Sequence, residues 1–364
     1  MAGSLYFPIF INIVMFASLY YFIQLSSKSR LKLMKGSNDM VITILLGIAL
    51  IIVMGLRPVT FAFGDTINYA RHYYDLQQGF VQFDSDEGEV VFNWLMAQCA
   101  KVMDVSYFFL IIEIGYIGCL LWACKRLMPR NILLAFLFCV GAFSFFSYGT
   151  NGIRNGLSTS IIILAMSYIN GTVRQKVFSI LLLFLAFNIH SSAILPICAI
   201  FLSCFYTHTK TYIIFWISAI FISLIGGGWV ENIFLGWEFD DRMDIYLTND
   251  EYNDQFSAIG FRWDFLLYSM MPIVLGYYCV VKKNLLNRNY LLLLNTYIIC
   301  NAFWVMLIRA SFSNRFAYLS WFLYPIVLGY PLLKLPVWKD QGKKTGIILF
   351  GHSLFTYVMW VIKG

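Results

Sequence analysis

Long apolar runs, separated by short polar breaks, recur along the whole chain. Many of them are about 17 to 22 residues long, the length at which an α-helix crosses a hydrocarbon core of about 30 Å. The pattern predicts an all-α polytopic membrane protein with about 12 transmembrane helices, forming a single integral membrane domain over residues 1–364. The predicted spans are residues 4–25, 40–56, 105–124, 132–148, 153–170, 177–190, 192–206, 211–227, 265–281, 290–308, 316–333 and 346–362.

The sixth and seventh predicted spans are short, and together they fill residues 177–206. Only four polar residues interrupt the apolar pattern between them, and these are Asn188, His190, Ser191 and Ser192. Two interpretations are open: two separate spans, or two half-helices that meet as a re-entrant pair inside the membrane.

The composition agrees with a membrane protein. Hydrophobic residues make up 60% of the chain and charged residues 12%, and the mean hydropathy is +0.72. These values exclude a soluble multidomain enzyme, and the polar segments are too short to fold as a separate catalytic domain. The basic residues behind the net charge of +7 lie in short loops beside the spans, so we expect no nucleic-acid partner.

The charges also predict an orientation. Alternate loops hold 17 of the 26 Lys and Arg residues, whereas most carboxylates lie in the other set of loops, within 65–89 and 231–264. Because cytoplasmic loops collect Lys and Arg, both chain termini are predicted to lie outside the cytoplasm. The two long exterior segments are then residues 57–104 and 228–264. Within the first, Val91, Trp94 and Leu95 follow helical spacing, which predicts a helix lying in the membrane interface.

Several common kinds of site have no signature in the sequence. The chain has no phosphate-binding loop, dinucleotide fingerprint, HExxH or GxSxG motif, and the eight cysteines have no zinc-site spacing. We therefore expect no cofactor and no metal. Asp84 and Asp86 form a DxD, a pattern that binds a metal with a nucleotide sugar elsewhere, but outside the membrane a solvated acidic loop is the favoured interpretation. Four polar residues within spans are expected to make packing contacts: Glu113, Asn295, Asn301 and His352.

Arg154 is the most informative candidate. It opens a predicted span directly after Gly149-Thr150-Asn151-Gly152-Ile153, so a guanidinium and free backbone N–H groups converge at a helix start that Thr150 or Asn151 could cap. This arrangement is typical of an anion site. The alternative is an arginine that reaches from a helix end to lipid headgroups. Arg309 and Arg315 are two more cations at span ends on the predicted exterior side. Basic residues are usually enriched on the cytoplasmic side, so their position here is unusual.

Two further residues could act as bases. Asp65 lies just beyond the second span, where a carboxylate could take a proton from a hydroxyl, with a helix cap as the alternative. His190 stands between the two short spans and could be a base, an acid or a phosphate donor. Its alternative is an interhelical hydrogen bond that locks a re-entrant turn.

At these residues the sequence resembles the EpsG family of bacterial polysaccharide polymerases, which are related in function to the Wzy O-antigen polymerases. The similarity runs in order through about residues 65–320, on one predicted side of the membrane. Asn155 stands where the family often has glutamine. The matching pieces are Gly64-Asp65-Thr66 with Tyr69 and Tyr73, Glu89 with Phe92, Arg154-Asn155-Gly156-Leu157, His190-Ser191-Ser192-Ala193-Ile194-Leu195 and Asn314-Arg315-Phe316-Ala317-Tyr318.

The resemblance implies a substrate and a division of roles. Oligosaccharide repeat units on undecaprenyl diphosphate would be joined into O-antigen, lipopolysaccharide or exopolysaccharide chains. Cations would hold the diphosphate leaving group, and a base would activate the acceptor hydroxyl. The implied diphosphate ligands are Arg154, Arg309, Arg315 and Arg71, the candidate bases are Asp65 and His190, and the implied glycan contacts are Tyr69, Tyr73 and Glu89.

The resemblance also implies a location and partners. The chain would be a multi-pass protein of the bacterial cytoplasmic (inner) membrane with its active site on the exterior, periplasmic face. Membrane lipids and a chain-length regulator would be its partners. A flippase or exporter of the same lipid-linked glycans remains the alternative, although such transporters usually carry several deep charges and internal repeats. An acyltransferase acting through His190 would need a second histidine or acid nearby.

Overall fold

The computed structural model describes residues 2–36, 39–86, 88–235, 260–309 and 313–363. Every regular element within them is helical, which confirms the predicted all-α class. In chain order the α-helices are α1 (Tyr6–Ser26), α2 (Arg30–Lys35), α3 (Met40–Gly55), α4 (Thr66–Gln78), α5 (Val90–Ala100), α6 (Val105–Leu127), α7 (Ile132–Val140), α8 (Phe145–Thr150), α9 (Ile153–Ile169), α10 (Val173–Ile189), α11 (Ile194–Phe205), α12 (Thr209–Leu235), α13 (Trp263–Gly276), α14 (Arg288–Met306), α15 (Ser313–Trp321), α16 (Tyr324–Lys334) and α17 (Gln341–Lys363).

The helices form two compact units. The first comprises residues 1–190 with 329–364, and the second comprises residues 191–328. Within the described part, seven helical stretches are long and apolar enough to cross a membrane, which supports a polytopic membrane protein, while the count of 12 spans stays a prediction. These stretches are Gly3–Ser26, Val105–Leu127, Thr209–Gly226, Trp263–Lys282, Arg288–Met306, Phe316–Lys334 and Gln341–Ile362, and the shorter apolar helices are Met40–Gly55, Val90–Ala100, Ile153–Ile169 and Ser191–Phe205.

One predicted span in the first unit is broken. The apolar run 132–148 forms α7 and α8, with a gap at residues 141–144. The break leaves backbone carbonyls to be satisfied inside an apolar environment. His352 Nε2 donates to the Phe138 carbonyl at 2.9 Å, and the Thr356 hydroxyl donates to the Gly141 carbonyl at 2.9 Å. His352 thus makes a packing contact, as expected.

The second unit is held together by polar contacts between its helices. The Thr209 hydroxyl donates to Asn295 Oδ1 at 2.8 Å, and the Trp216 indole donates to Asn301 Oδ1 at 2.8 Å. Asn301 Nδ2 in turn donates to Ser320 Oγ at 3.0 Å. Such bonds between membrane helices satisfy buried polar groups and fix helix register, so the two asparagines have the expected packing role.

The first exterior segment contains two helices, α4 and α5. The predicted helix after Glu89 is present as α5, with Phe92 and Met96 buried and Trp94 half exposed. Its location at the membrane interface stays a prediction. Asp84 and Asp86 lie in an exposed loop before it. Most of the second exterior segment, residues 236–259, lies outside the described residues.

Candidate functional site

Four side chains from distant parts of the first unit meet at one point. The Glu89 carboxylate contacts the Arg154 guanidinium through one oxygen and His190 Nδ1 through the other. Arg154 Nε also donates to the Tyr69 hydroxyl at 3.2 Å. The exposed fractions are 25% for Arg154, 12% for Glu89 and 17% for His190. We call these four residues the Glu89 cluster: partly buried, yet open to a ligand.

The ends of α9 and α10 bring two members of this cluster together. Arg154 is the second residue of α9, and His190 follows the last residue of α10 in an extended conformation. The Ser158 hydroxyl of α9 donates to the Ala186 carbonyl of α10 at 2.8 Å. These two residues lie one helical turn from Arg154 and His190 respectively, so this bond joins the two helices close to the arginine and the histidine.

Glu89 is placed by an unusual backbone conformation. It precedes α5 with φ of 46° and ψ of 38°, in the left-handed region that non-glycine residues rarely adopt. This turn directs the last carboxylate of the acidic run back onto the helix bundle, while Asp84 and Asp86 remain exposed. Strained backbone of this kind concentrates at functional sites. The family resemblance implies a glycan contact for Glu89, and in the structure Glu89 lies between the arginine and the histidine.

The charges in the cluster support one another. Burial alone would raise the pKa of Glu89, but the hydrogen bond and charge of His190, together with Arg154, hold that pKa below its ordinary value. Burial raises the pKa of Tyr69, assisted by the nearby carboxylates Asp65 and Glu89 and opposed by Arg154. At neutral pH the carboxylate is therefore ionised and the phenol is protonated. Because Tyr69 accepts from Arg154, its own proton is free to be donated to a ligand.

The start of α9 differs from the expected helix cap. Gly152 occupies the N-cap position, and no side chain caps the helix. Thr150 instead donates to the Phe146 carbonyl at 2.9 Å, and Asn151 Oδ1 accepts from the backbone N–H of Asp65 at 2.8 Å. The capping role considered for Thr150 or Asn151 is wrong. Within the part of the chain that the structure describes, no side chain satisfies the N–H groups of the first turn beside Arg154, which favours an anion.

Asp65 lies close to the cluster but outside its contacts. It precedes α4, but its carboxylate makes no capping bond and accepts from Asn68 Nδ2 at 3.2 Å. The chain reaches it through Gly64, whose φ is 56° and whose Cα approaches Asn151 so closely that a Cβ would lie 2.4 Å from Oδ1. Asp65 thus occupies the N-cap position of α4 without a capping bond from its side chain. It stays a candidate base.

The other predicted ligands are placed differently. Arg71 is exposed and makes no hydrogen bond or ion pair within the described part of the chain. Arg309, in the second unit, is exposed and donates to the Leu224 carbonyl at 3.4 Å. The side chain of Arg315 lies outside the described residues. Tyr73 is fully buried, and its hydroxyl donates to the Met103 carbonyl at 2.9 Å. Their proposed contacts with diphosphate or glycan stay predictions.

A second pair of ionisable residues, Arg57 and Glu113, lies buried near the cluster. The sequence predicted a packing contact for Glu113 but did not connect it to Arg57. Arg57 is 1% exposed. It pairs with Glu113 at 3.7 Å and bonds to Met54, Thr66 and Thr150. Burial lowers the pKa of Arg57 to about 10, an effect that Glu113 opposes, so the guanidinium remains charged at neutral pH. The available signal was an arginine directly after a span on the side poor in basic residues.

Metal ligation finds no support among the described residues, where no three His, Cys, Asp or Glu side chains cluster as a metal site would require. Asp84 Oδ1 accepts from the backbone N–H of Asp86 at 2.9 Å, as in a short turn. Metal independence itself stays a prediction.

Comparisons with known proteins agree with the sequence resemblance. The model of the EpsG family matches residues 40–364, which include every member of the Glu89 cluster as well as Arg57 and Glu113. Searches of curated proteins and of solved structures give no significant match. The family match spans most of the chain, and the protein therefore belongs to the EpsG family.

Proposed function

We propose that the protein polymerises lipid-linked oligosaccharide repeat units at the outer face of the bacterial cytoplasmic membrane. Membership of the EpsG family indicates a membrane polysaccharide polymerase. The observation that carries the finer proposal is the position of Glu89, in contact with a cation on one side and an imidazole on the other. Such a group can join an anion-binding residue to a base within one site.

Arg154 would bind the donor. In the donor the anomeric carbon carries a lipid diphosphate, which leaves as an anion and is stabilised by cations more than by a general acid. Nε and Nη1 of Arg154 are engaged by Tyr69 and Glu89, while Nη2 has no hydrogen bond within the described part of the chain. That nitrogen, the Tyr69 proton and the first N–H groups of α9 could reach the diphosphate together.

His190 would activate the acceptor. Glu89 contacts Nδ1, so this nitrogen carries a proton and Nε2 is left to accept one from a sugar hydroxyl. The hydroxyl oxygen forms the bond to the anomeric carbon, the bond from that carbon to the diphosphate oxygen breaks, and the lipid diphosphate leaves with the bonding electrons. Glu89 would stabilise the imidazolium that forms. This pairing favours His190 over Asp65 as the base.

The substrate needs no further source of energy, since the bond to the diphosphate is itself activated. The proposed reaction therefore uses no nucleotide, and we propose that it uses no metal. The proposed partners are undecaprenyl diphosphate-linked oligosaccharide, the surrounding lipids and a chain-length regulator.

Incubation of purified protein in detergent with extracted lipid-linked repeat units tests the proposal. We expect a ladder of longer glycans on a gel, although no membrane separates two compartments. Arg154→Ala and His190→Ala should each slow ladder formation to a small residual rate, and the matched loop variant Asp86→Asn should keep it. A wild-type protein that makes no ladder in detergent but moves the same units across liposome membranes would be a flippase.

A further inference from the structure

Arg57 joins three segments that lead into the Glu89 cluster. Nη1 donates to the Met54 carbonyl at 2.7 Å, at the end of α3. Nε and Nη2 donate to Thr66 Oγ1 at 3.2 and 3.1 Å, and Nη2 also donates to the Thr150 carbonyl at 3.1 Å. The Thr66 hydroxyl completes the set by donating to the same Thr150 carbonyl at 2.6 Å. One guanidinium thus fixes the start of α4 against the end of α8.

This junction lies three to four positions along the chain before the residues that meet in the cluster. Tyr69 follows Thr66 by three positions along α4, and Arg154 follows Thr150 by four positions into α9. The two segments are joined by the hydrogen bond between Thr66 and Thr150, and they meet again at the 3.2 Å hydrogen bond between Arg154 and Tyr69. The backbone N–H of Asp65 supports the junction by donating to Asn151 Oδ1 at 2.8 Å. A displacement at Thr66 would therefore move Tyr69 relative to Arg154.

Glu113 of α6 lies beside the buried guanidinium. Both side chains are fully buried, with 3.7 Å between Nη1 and Oε1. The Arg57 guanidinium also lies over the Phe109 ring at 4.5 Å. The two Glu113 oxygens have no hydrogen-bond partner within the described part of the chain. Glu113 thus leaves the hydrogen-bond donors of Arg57 to Thr66 and to the backbone carbonyls.

We propose that Arg57, acting through Thr66, is a positioning residue that sets the spacing of Tyr69 and Arg154 at the lipid-diphosphate site. The inference rests on the proposed function, because the site being positioned is the one assigned there to the leaving group. It adds a role for a buried arginine that the proposed mechanism brings into contact with neither the substrate nor the reacting atoms.

The test compares Thr66→Val with Thr66→Ser. Valine keeps the branched shape but removes the hydroxyl that Arg57 and Thr150 share, whereas serine keeps that hydroxyl. Equal amounts of folded, detergent-purified protein are assayed for turnover and for binding of undecaprenyl diphosphate. We expect Thr66→Val to weaken binding and lower turnover about tenfold or more, and Thr66→Ser to remain within about threefold of wild type.

A cycle with Arg154→Ala separates positioning from a general loss of stability. If Thr66 acts through the placement of Arg154, then Thr66→Val should cost little more in the Arg154→Ala background. Additive losses would overturn the inference, as would equal activity of Thr66→Val and Thr66→Ser beside a defective Arg154→Ala. An Arg154→Ala protein with normal binding and turnover would overturn the proposed function and this inference together.

A second variant covers the case in which Thr66→Val does not fold. Arg57→Lys keeps the charge opposite Glu113 but has no planar fork to hold Thr66 and Thr150 together. We expect it to show the same loss of lipid-diphosphate binding, and normal binding would overturn the inference.

Discussion

Replacement of Glu89 by glutamine should impair base catalysis by His190 while leaving diphosphate binding by Arg154 largely intact. The glutamine carbonyl can still accept from Arg154, so its amide NH2 would then face His190 Nδ1. An imidazole nitrogen that accepts a hydrogen bond carries no proton, and the proton would therefore move to Nε2. His190 would then have no free nitrogen for the acceptor hydroxyl, although every side chain keeps its size and approximate position.

The expected loss follows from the contribution of a positioned base. General base catalysis is typically worth about 10² to 10⁴ in rate, or roughly 3 to 5 kcal/mol of activation free energy. We expect the turnover of Glu89→Gln to fall into this range, while undecaprenyl diphosphate binding changes less than tenfold because Arg154 is retained. Turnover is measured as the initial rate of glycan elongation with equal amounts of folded protein. Affinity is measured by binding of labelled undecaprenyl diphosphate.

Two comparisons make this prediction refutable. Asp86→Asn removes a carboxylate from the exposed part of the same segment and should keep wild-type turnover. The double variant Glu89→Gln with His190→Ala should be no slower than His190→Ala, because the two residues act as one unit. Turnover of Glu89→Gln within about threefold of wild type, or additive losses in the double variant, would show that Glu89 does not orient a base.

Three further outcomes are expected. Arg154→Lys should lower turnover by about tenfold or more, since lysine keeps the charge but cannot contact Tyr69, Glu89 and diphosphate through a planar fork; equal turnover would contradict a bidentate grip. Reporter fusions at Asp250 and Lys343 should give exterior and cytoplasmic signals respectively, and identical signals would refute the orientation. Polymerisation should survive EDTA, and Asp84→Asn with Asp86→Asn should lose little activity, whereas loss restored by magnesium or manganese would make the DxD functional.

The stability of the cluster should also depend on pH in one direction. The pKa of Glu89 is lower in the folded protein than its ordinary value of 4.5. Ionisation of Glu89 therefore stabilises the fold fully above about pH 4.5, and this contribution is lost as the pH falls through the lowered pKa. The difference in melting temperature between wild type and Glu89→Gln should shrink as the pH falls from about 5 to about 3.5. A difference that grows over this interval would contradict the sign of the shift.

The positions of the helices could largely be predicted from the sequence, because membrane helices must satisfy their own backbone groups and so appear as long apolar runs. The break in the run 132–148 could not. Its freed carbonyls are satisfied by His352 and Thr356, which lie more than 200 positions away along the chain. No local pattern around residues 141–144 carries that information.

The residues of the candidate site could be predicted from the sequence, but the contacts between them could not. Arg154 and His190 were identifiable because each is a polar residue at the end of an apolar helix. Glu89 could not be connected to them, since it ends a run of acidic residues that is otherwise solvated, and its contacts span 65 and 101 positions of sequence. Arg57 stands at the start of the predicted exterior segment 57–104. Its contacts could not be predicted because they depend on two backbone carbonyls and a hydroxyl that the fold brings to it.

The most direct test of the account is to count the lipid diphosphate released for each glycosidic linkage formed. Purified protein in detergent would be given radiolabelled lipid-linked repeat units, and both products would be separated and quantified over time. We expect one undecaprenyl diphosphate for every linkage, with both products strongly reduced in Arg154→Ala and in Glu89→Gln. Linkages formed without release of lipid diphosphate, or unaltered release in Arg154→Ala, would contradict glycosyl transfer at the Glu89 cluster.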